Sequence, residues 1–189
     1  RRLQPLMNVQ KSIEQQGGKA VAISLDITNP KLVIEKIKDI TKEYSVHFLI
    51  NNAGIGCFGP LHELTMEEIE NTLLTNVNGT IYMTKALLPH LLQQKNGKIF
   101  NIISTAGQKG KVNESVYVAS KFAIRGFTES LQKEYEGKLD ITAVYMGGMD
   151  TPFWEDTNHI KDKSRLRSPK EVAEMILDED EEGKNEIFI

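Results

Sequence analysis

One cysteine, Cys57, stands in 189 residues. No internal disulfide framework is open to such a chain, and its thiol fits a reducing compartment, so the expected location is cytoplasmic. Cys57 has no companion that would make a metal site, and it is assigned no role. Long apolar runs are missing as well. No stretch approaches the roughly 18 apolar residues that a membrane span needs, and Arg1-Arg2-Leu3-Gln4-Pro5 is not followed by the apolar core of a signal peptide. Excess charge is small: a formal net charge of -3 gives no reason to expect nucleic acid or an anionic membrane as a partner. The acidic run Asp178 to Glu182 reads as a solvated helix end or loop. Repeats and low-complexity linkers are absent too, and 1–189 is expected to form a single domain.

What remains is an alternation of helical stripes and short apolar strands. Leu6, Val9 and Ile13 share a helical face that Gly17-Gly18 closes. Lys19 to Leu25 reads as a strand. Asn29-Pro30 opens a helix carrying Val33, Ile37, Ile40 and Tyr44, with asparagine as N-cap and proline in the first turn. Val46 to Ile50 is the next strand. Thr65 and Glu68 form a capping box before one stripe running from Met66 to Leu88, about six turns long. Lys98 to Ile103 and Leu139 to Tyr145 read as strands flanking a helix over Ser115 to Tyr135. A second capping box, Ser168 with Glu171, starts a short helix before a terminal strand at Ile187 to Ile189. Alternation of this kind predicts an α/β fold: a doubly wound, Rossmann-like parallel sheet with helices on both faces.

Ligands of such sheets bind beyond the carboxyl ends of the strands. The residues there are Asp26-Ile27, Asn51-Asn52-Ala53-Gly54, Ser104-Thr105-Ala106-Gly107 and Met146-Gly147-Gly148-Met149-Asp150-Thr151. All are small or hydrogen-bonding, as a flat ligand lying against backbone requires. Tyr117 and Lys121 stand four apart, on one face of a helix. The spacing alone is weak evidence, but the chemistry is specific. An ammonium beside a phenol stabilises the phenolate and lowers its pKa from near ~10 toward the working pH of a general acid/base. Ser104, thirteen residues upstream of Tyr117, is placed to hydrogen-bond a substrate oxygen facing the phenol.

Taken together these residues resemble the short-chain dehydrogenase/reductase family over nearly the whole chain. The family's Asn-Asn-Ala-Gly is similar to Asn51 to Gly54, its helix asparagine to Asn76, its strand-end serine to Ser104, and its Tyr-x-x-x-Lys to Tyr117 to Lys121. The resemblance implies an NAD(P)-dependent oxidoreductase exchanging hydride with a carbonyl or alcohol substrate. In it Tyr117 is the general acid/base, Ser104 positions the oxygen, Lys121 lowers the tyrosine pKa and holds the nicotinamide ribose, and Asn76 holds a relay water. It also places Asp26 and Ile27 at the adenine, Asn52, Ala53 and Gly54 at the adenosine ribose, and Gly147, Gly148, Met149 and Thr151 at the nicotinamide. Met146-Gly147 departs from the family's Pro-Gly. The family's glycine-rich phosphate loop has no counterpart, because no helix starts after Gly54-Ile55-Gly56. The fold is therefore expected to lack its first strand–helix unit, and the 189 residues alone are expected to be unstable and inactive. Arg1 and Arg2 stand where the family meets the 2′-phosphate of NADP, which favours NADP over NAD.

Aromatic Phe153 and Trp154, in the segment from Thr151 to Arg167, are expected to form a substrate wall for an apolar carbonyl compound, and His159 to lie on the surface. A homodimer or homotetramer is implied through the two long helices. Two other functions are weighed: a sugar-nucleotide epimerase or dehydratase, which also uses a Tyr-x-x-x-Lys pair, and a catalytically silent redox-sensing or scaffold homologue of the same fold, against which the intact Asn76, Ser104, Tyr117 and Lys121 argue.

Overall fold

The computed structural model describes residues 3–154, 157, 159 and 162–189. Four strands, β1 (Phe48–Asn51), β2 (Lys98–Ile102), β3 (Asp140–Tyr145) and β4 (Glu186–Phe188), pair in chain order, all parallel. The helices are α1 (Leu3–Gln15), α2 (Pro30–Glu43), α3 (Met66–Leu73), α4 (Thr80–Leu91), α5 (Ser115–Glu134) and α6 (Pro169–Glu181). No helix among the described residues is long and apolar enough to cross a membrane.

The helix ends are set by local chemistry. Asn29 accepts hydrogen bonds from the Lys31 and Leu32 amides, and Thr65 with Glu68 makes the reciprocal capping box. Gly17, at φ +82°, lets the Gly18 amide reach Ile13 O and its own amide reach Glu14 O, a Schellman ending for α1. Of the second expected box only half forms: Ser168 accepts from the Glu171 amide.

Strand alternation then sorts the core. Leu49, Ile99 and Ile141 face α2, α4 and α5 and pack with Val33, Ile37, Leu87, Leu91 and Leu131. Full burial of each such side chain contributes about 1.5–3 kcal/mol. Phe100, Ile102, Val144 and Ile187 point the other way, against α6 and its Ile176. On that second face Phe48 and Ile50 of β1 remain 56% and 62% exposed, so the expected two-sided cover stops short of β1.

Two expectations need correction. Residues 19–25 are not a strand: an apolar stretch joins a sheet only through ladder bonds to a neighbour, and here the Ala22 amide donates to the Gln10 side chain instead. Leu25 and Ile27 nevertheless pack against the core. The stripe from Met66 is not one regular helix either, because residues Leu74–Gly79 widen into a π-helical turn between α3 and α4.

A buried polar ladder pins the register of the sheet. Asn51 Nδ2 donates to Asn101 Oδ1 (2.8 Å) and to Thr84 Oγ1 (3.0 Å), and Asn101 Nδ2 donates to Thr128 Oγ1 (2.9 Å). Replacing the fully buried Asn101 by leucine costs Asn51 Nδ2 and Thr128 Oγ1 one hydrogen bond each, while Thr84 Oγ1 and Ile124 O still partner them. Asn101→Leu should lower the unfolding free energy by about 0.5–1.5 kcal/mol per bond lost, read as a lower urea midpoint at unchanged m-value.

Candidate active site

The carboxyl ends of three strands open onto one cavity of about 320 Å³. Asn52, Ala53 and Gly54 leave β1 along its rim, Ser104 follows β2, and Gly147, Gly148, Met149 and Thr151 follow β3. Tyr117 and Lys121 enter from α5, and Phe153 and Trp154 close the outer wall. The parallel register guarantees this meeting, since Asn51 pairs with Asn101 and Ile102 with Val144, so the strands end level. At Gly54 a Cβ would sit 3.2 Å from Asn76 Oδ1, closer than ordinary contact. At Gly148 a Cβ would come within 2.8 Å of Leu166.

Ser104 carries an unusual backbone, φ 77° and ψ 156°, a region that side chains other than glycine's disfavour. The turn is held from both sides: Ser104 and Ile103 amides donate to Val144 O, and the Thr105 amide donates to Met146 O. Its hydroxyl is near enough to the Tyr117 phenol to draw that group's pKa down.

Tyr117 and Lys121 are both buried, on the inner face of α5. Burial pushes the phenol up to about 12, the Ser104 hydroxyl pulls it back, and the Glu114 charge pushes it further up. Burial alone pushes the Lys121 ammonium down to about 8. The expected lowering of the tyrosine by the lysine is thus not what this site shows. Lys121 Nζ donates to Ile102 O at 2.9 Å and lies 5.6 Å from the phenol's ring centroid, so desolvation prevails over the charge.

Asn76 stands behind the cavity, in the π turn. Its Nδ2 donates to Ile55 O (2.9 Å) and Ser120 Oγ (3.0 Å), and its Oδ1 accepts the Ile55 amide (2.8 Å). Asp26 and Ile27 do not reach the main cavity. Asp26 accepts from the Thr28 amide and hydroxyl, and Ile27 packs under Gly79 beside a small hollow that Asn52 and Ala53 also line. Arg1 and Arg2 lie outside the described residues.

Four residues at the site were not singled out for it. Lys111 and Glu114 line the cavity, and Phe58 packs on Tyr117 with ring centroids 5.6 Å apart. His159, expected on the surface, is instead turned inward, 2.8 Å from Glu114 Oε1 and stacked on Phe58. Glu114 was findable, since it precedes Tyr117 by three residues and shares its helical face. Nothing in the sequence marks Phe58.

The sequence model of the family described as short chain dehydrogenase matches residues 1–162. The chain belongs to this family. It is 35% identical over 176 residues to a fatty acyl-CoA reductase of Acinetobacter baylyi, covering 91% of this chain and 59% of that protein. It is 33% identical to a sepiapterin reductase of Chlorobaculum tepidum, over 86% of this chain and 67% of that one. The chain thus spans little more than half to two thirds of these relatives. Among solved structures, a short-chain dehydrogenase from Shigella flexneri complexed with NADP superposes with a TM-score of 0.90, at 26% identity, over all of this chain and 82% of the other.

The strained turn can be tested directly. Ser104→Gly relieves about 1–3 kcal/mol of backbone strain, against which glycine loses roughly 0.5–1 kcal/mol of entropy. Ser104→Ala relieves none, so urea denaturation should find the glycine variant the more stable of the two. Lys121 supplies a pH signature. At about 8 folded against an ordinary 10.5, it binds fewer protons in the folded state throughout that interval. Stability therefore gains from this residue as pH rises from about 8 toward 10.5. Lys121→Met should remove the rise, so the difference in unfolding free energy between variant and parent shrinks with increasing pH.

Proposed function

We propose that the protein is an NADP(H)-dependent oxidoreductase that interconverts a carbonyl group and an alcohol, with NAD(H) as the alternative coenzyme. The observation that carries this reading is the meeting of the Ser104 and Tyr117 hydroxyls beside Lys121, in a cavity floored by strand-end glycines. The reductase names of the relatives and the NADP held by the Shigella protein support it. The cavity suits the nicotinamide half of a dinucleotide: a Cβ at Gly147 would meet nothing within 4 Å, so the floor is open backbone. Gly147, Gly148, Met149 and Thr151 would hold the nicotinamide, Tyr117 and Lys121 its ribose, and Asn52, Ala53 and Gly54 the adenosine ribose. Asp26 and Ile27 would flank the adenine, with Arg1 and Arg2 at the 2′-phosphate.

The chemistry that the coenzyme supplies when bound is hydride exchange at the nicotinamide ring. Tyr117 gives its proton to the substrate oxygen in reduction. A phenol held neutral up to about 12 remains protonated at neutral pH and so stands ready as the donor. Ser104 hydrogen-bonds the same oxygen and stabilises the charge that grows there. Lys121 sets positive charge beneath the phenol, and a lone pair left on Asn76 Oδ1 or on its backbone carbonyl would take the water that relays a proton toward solvent. Phe153 and Trp154 make the wall against which an apolar carbonyl compound rests.

Loss of reduced-coenzyme absorbance with NADPH or NADH and a panel of ketones and aldehydes tests the assignment. Net oxidation supports it; turnover of a nucleotide sugar without net oxidation points to an epimerase or dehydratase; silence with every substrate points to a scaffold. Tyr117→Phe should lower kcat by about 10²–10⁴-fold with coenzyme binding retained, and Ser104→Ala by about 10²–10³-fold. An unchanged kcat in Tyr117→Phe would remove the proposal.

A further inference from the structure

The most completely built cluster outside the reacting residues centres on a carboxylate that the chemistry above leaves idle. Glu114 is the N-cap residue of α5, yet its side chain makes no cap bond. That side chain is only 9% exposed, and a carboxylate so withdrawn from water is unfavourable unless it is paired. Two side chains from different segments supply the partners. Its Oε1 lies 2.8 Å from His159 Nε2, and its Oε2 lies 3.9 Å from Lys111 Nζ, which itself donates to Thr105 Oγ1.

The histidine end of this arrangement leads back to the active site. The imidazole lies nearly parallel to the Phe58 ring, centroids 4.5 Å apart at 10°. Phe58 in turn stacks with Trp154 at 5.4 Å and 23°, and packs against Tyr117 at 5.6 Å. Trp154 is oriented a second time by the bond from its Nε1 to Met149 O. Stacked rings slide easily in their own plane, whereas a 2.8 Å bond to a buried carboxylate does not. Two directional contacts therefore fix the stack, the Trp154–Met149 bond at one end and the Glu114–His159 bond at the other, and the second stands on the helical turn before Tyr117.

We propose that Glu114 is a positioning residue. Through His159 and Phe58 it holds the Tyr117 phenol and the Trp154 ring at the separation that admits an apolar, aromatic carbonyl compound. The inference rests on the oxidoreductase reading of the same site.

The test uses benzil with NADPH, and the emission of Trp154, the single tryptophan of the chain. Glu114→Ala and His159→Leu should each lower kcat/KM for benzil about ten- to a hundredfold, the size of effect that small misplacements near a reacting group produce, with KM carrying most of the loss. The double variant should be no worse than the worse single, because both remove one bond. Glu114→Gln keeps an acceptor for the imidazole N–H and should restore most of the lost affinity. Both single variants should also alter Trp154 emission without substrate or coenzyme. Additive losses, losses confined to kcat, or a glutamine variant as poor as alanine overturn the positioning role; the last outcome would mark Glu114 as a direct substrate contact. Emission is read without catalysis, so the two readings fail separately. A changed emission together with full turnover in Tyr117→Phe overturns the oxidoreductase reading and leaves the clamp. An unchanged emission together with loss of turnover in Tyr117→Phe overturns the clamp alone.

Discussion

The geometry of the site hangs on one amide side chain. Asn76 grips Ile55 through both the backbone N–H and the backbone C=O, so the loop leaving β1 is tied to the helix layer by two bonds rather than one. Its third bond goes to Ser120 Oγ, which donates to Tyr117 O within α5. A single residue therefore joins the three pieces that must be in register: the Gly54 rim, the helix layer and the turn carrying Tyr117 and Lys121. The junction sits in the π turn, where Thr80 Oγ1 also donates to the Asn76 carbonyl at 2.9 Å, as Thr128 does to Ile124 O within α5. Each polar atom of the junction finds a partner, as a buried network must if it is to stiffen the site rather than weaken it.

Burial, more than mutual charge, governs the Tyr117–Lys121 pair. A helical spacing of four implies proximity, and proximity of an ammonium and a phenol implies a lowered tyrosine. What spacing does not convey is how dry the helix face is. Both side chains lose water when α5 seats on β2 and β3, and desolvation favours the neutral form of each, raising the phenol and lowering the ammonium. The lysine meets its hydrogen-bonding need at Ile102 O, on the strand that leads to Ser104. It thereby fixes the distance between α5 and β2 as much as it sets a potential.

Much of the layout was legible because it follows from periodicity. The strands at Phe48–Asn51, Lys98–Ile102 and Asp140–Tyr145, the helix Ser115–Glu134 and the Asn29 and Thr65 caps all repeat local rules. The rim, turn and helix residues of the site then meet because parallel strands bring their carboxyl ends together. The failures are those where a partner decides. Residues 19–25 have a strand's composition but join no ladder among the described residues. The π turn conserves the helical stripe almost unaltered, so its extra residue leaves no mark on the pattern. His159 and Phe58 are placed by each other and by Glu114, at separations of 45 and 56 residues from the acid in chain position, beyond anything a local pattern can register.

Ser104 shows how the parts enforce one another. A serine at φ 77° would relax if its turn were free. It cannot do so while its amide and the Ile103 amide share Val144 O and the Thr105 amide is held by Met146 O. The far side of the turn is closed by α5: a Cβ on Gly107 would lie 3.2 Å from Lys121 O, so the helix backbone presses directly on the turn. The element that supplies Tyr117 is thus also the one that keeps Ser104 strained. Strain maintained this way is a restraint on direction. It limits where the Ser104 hydroxyl, which accepts the Ala106 amide at 3.3 Å, can lie beside the helix that carries Tyr117.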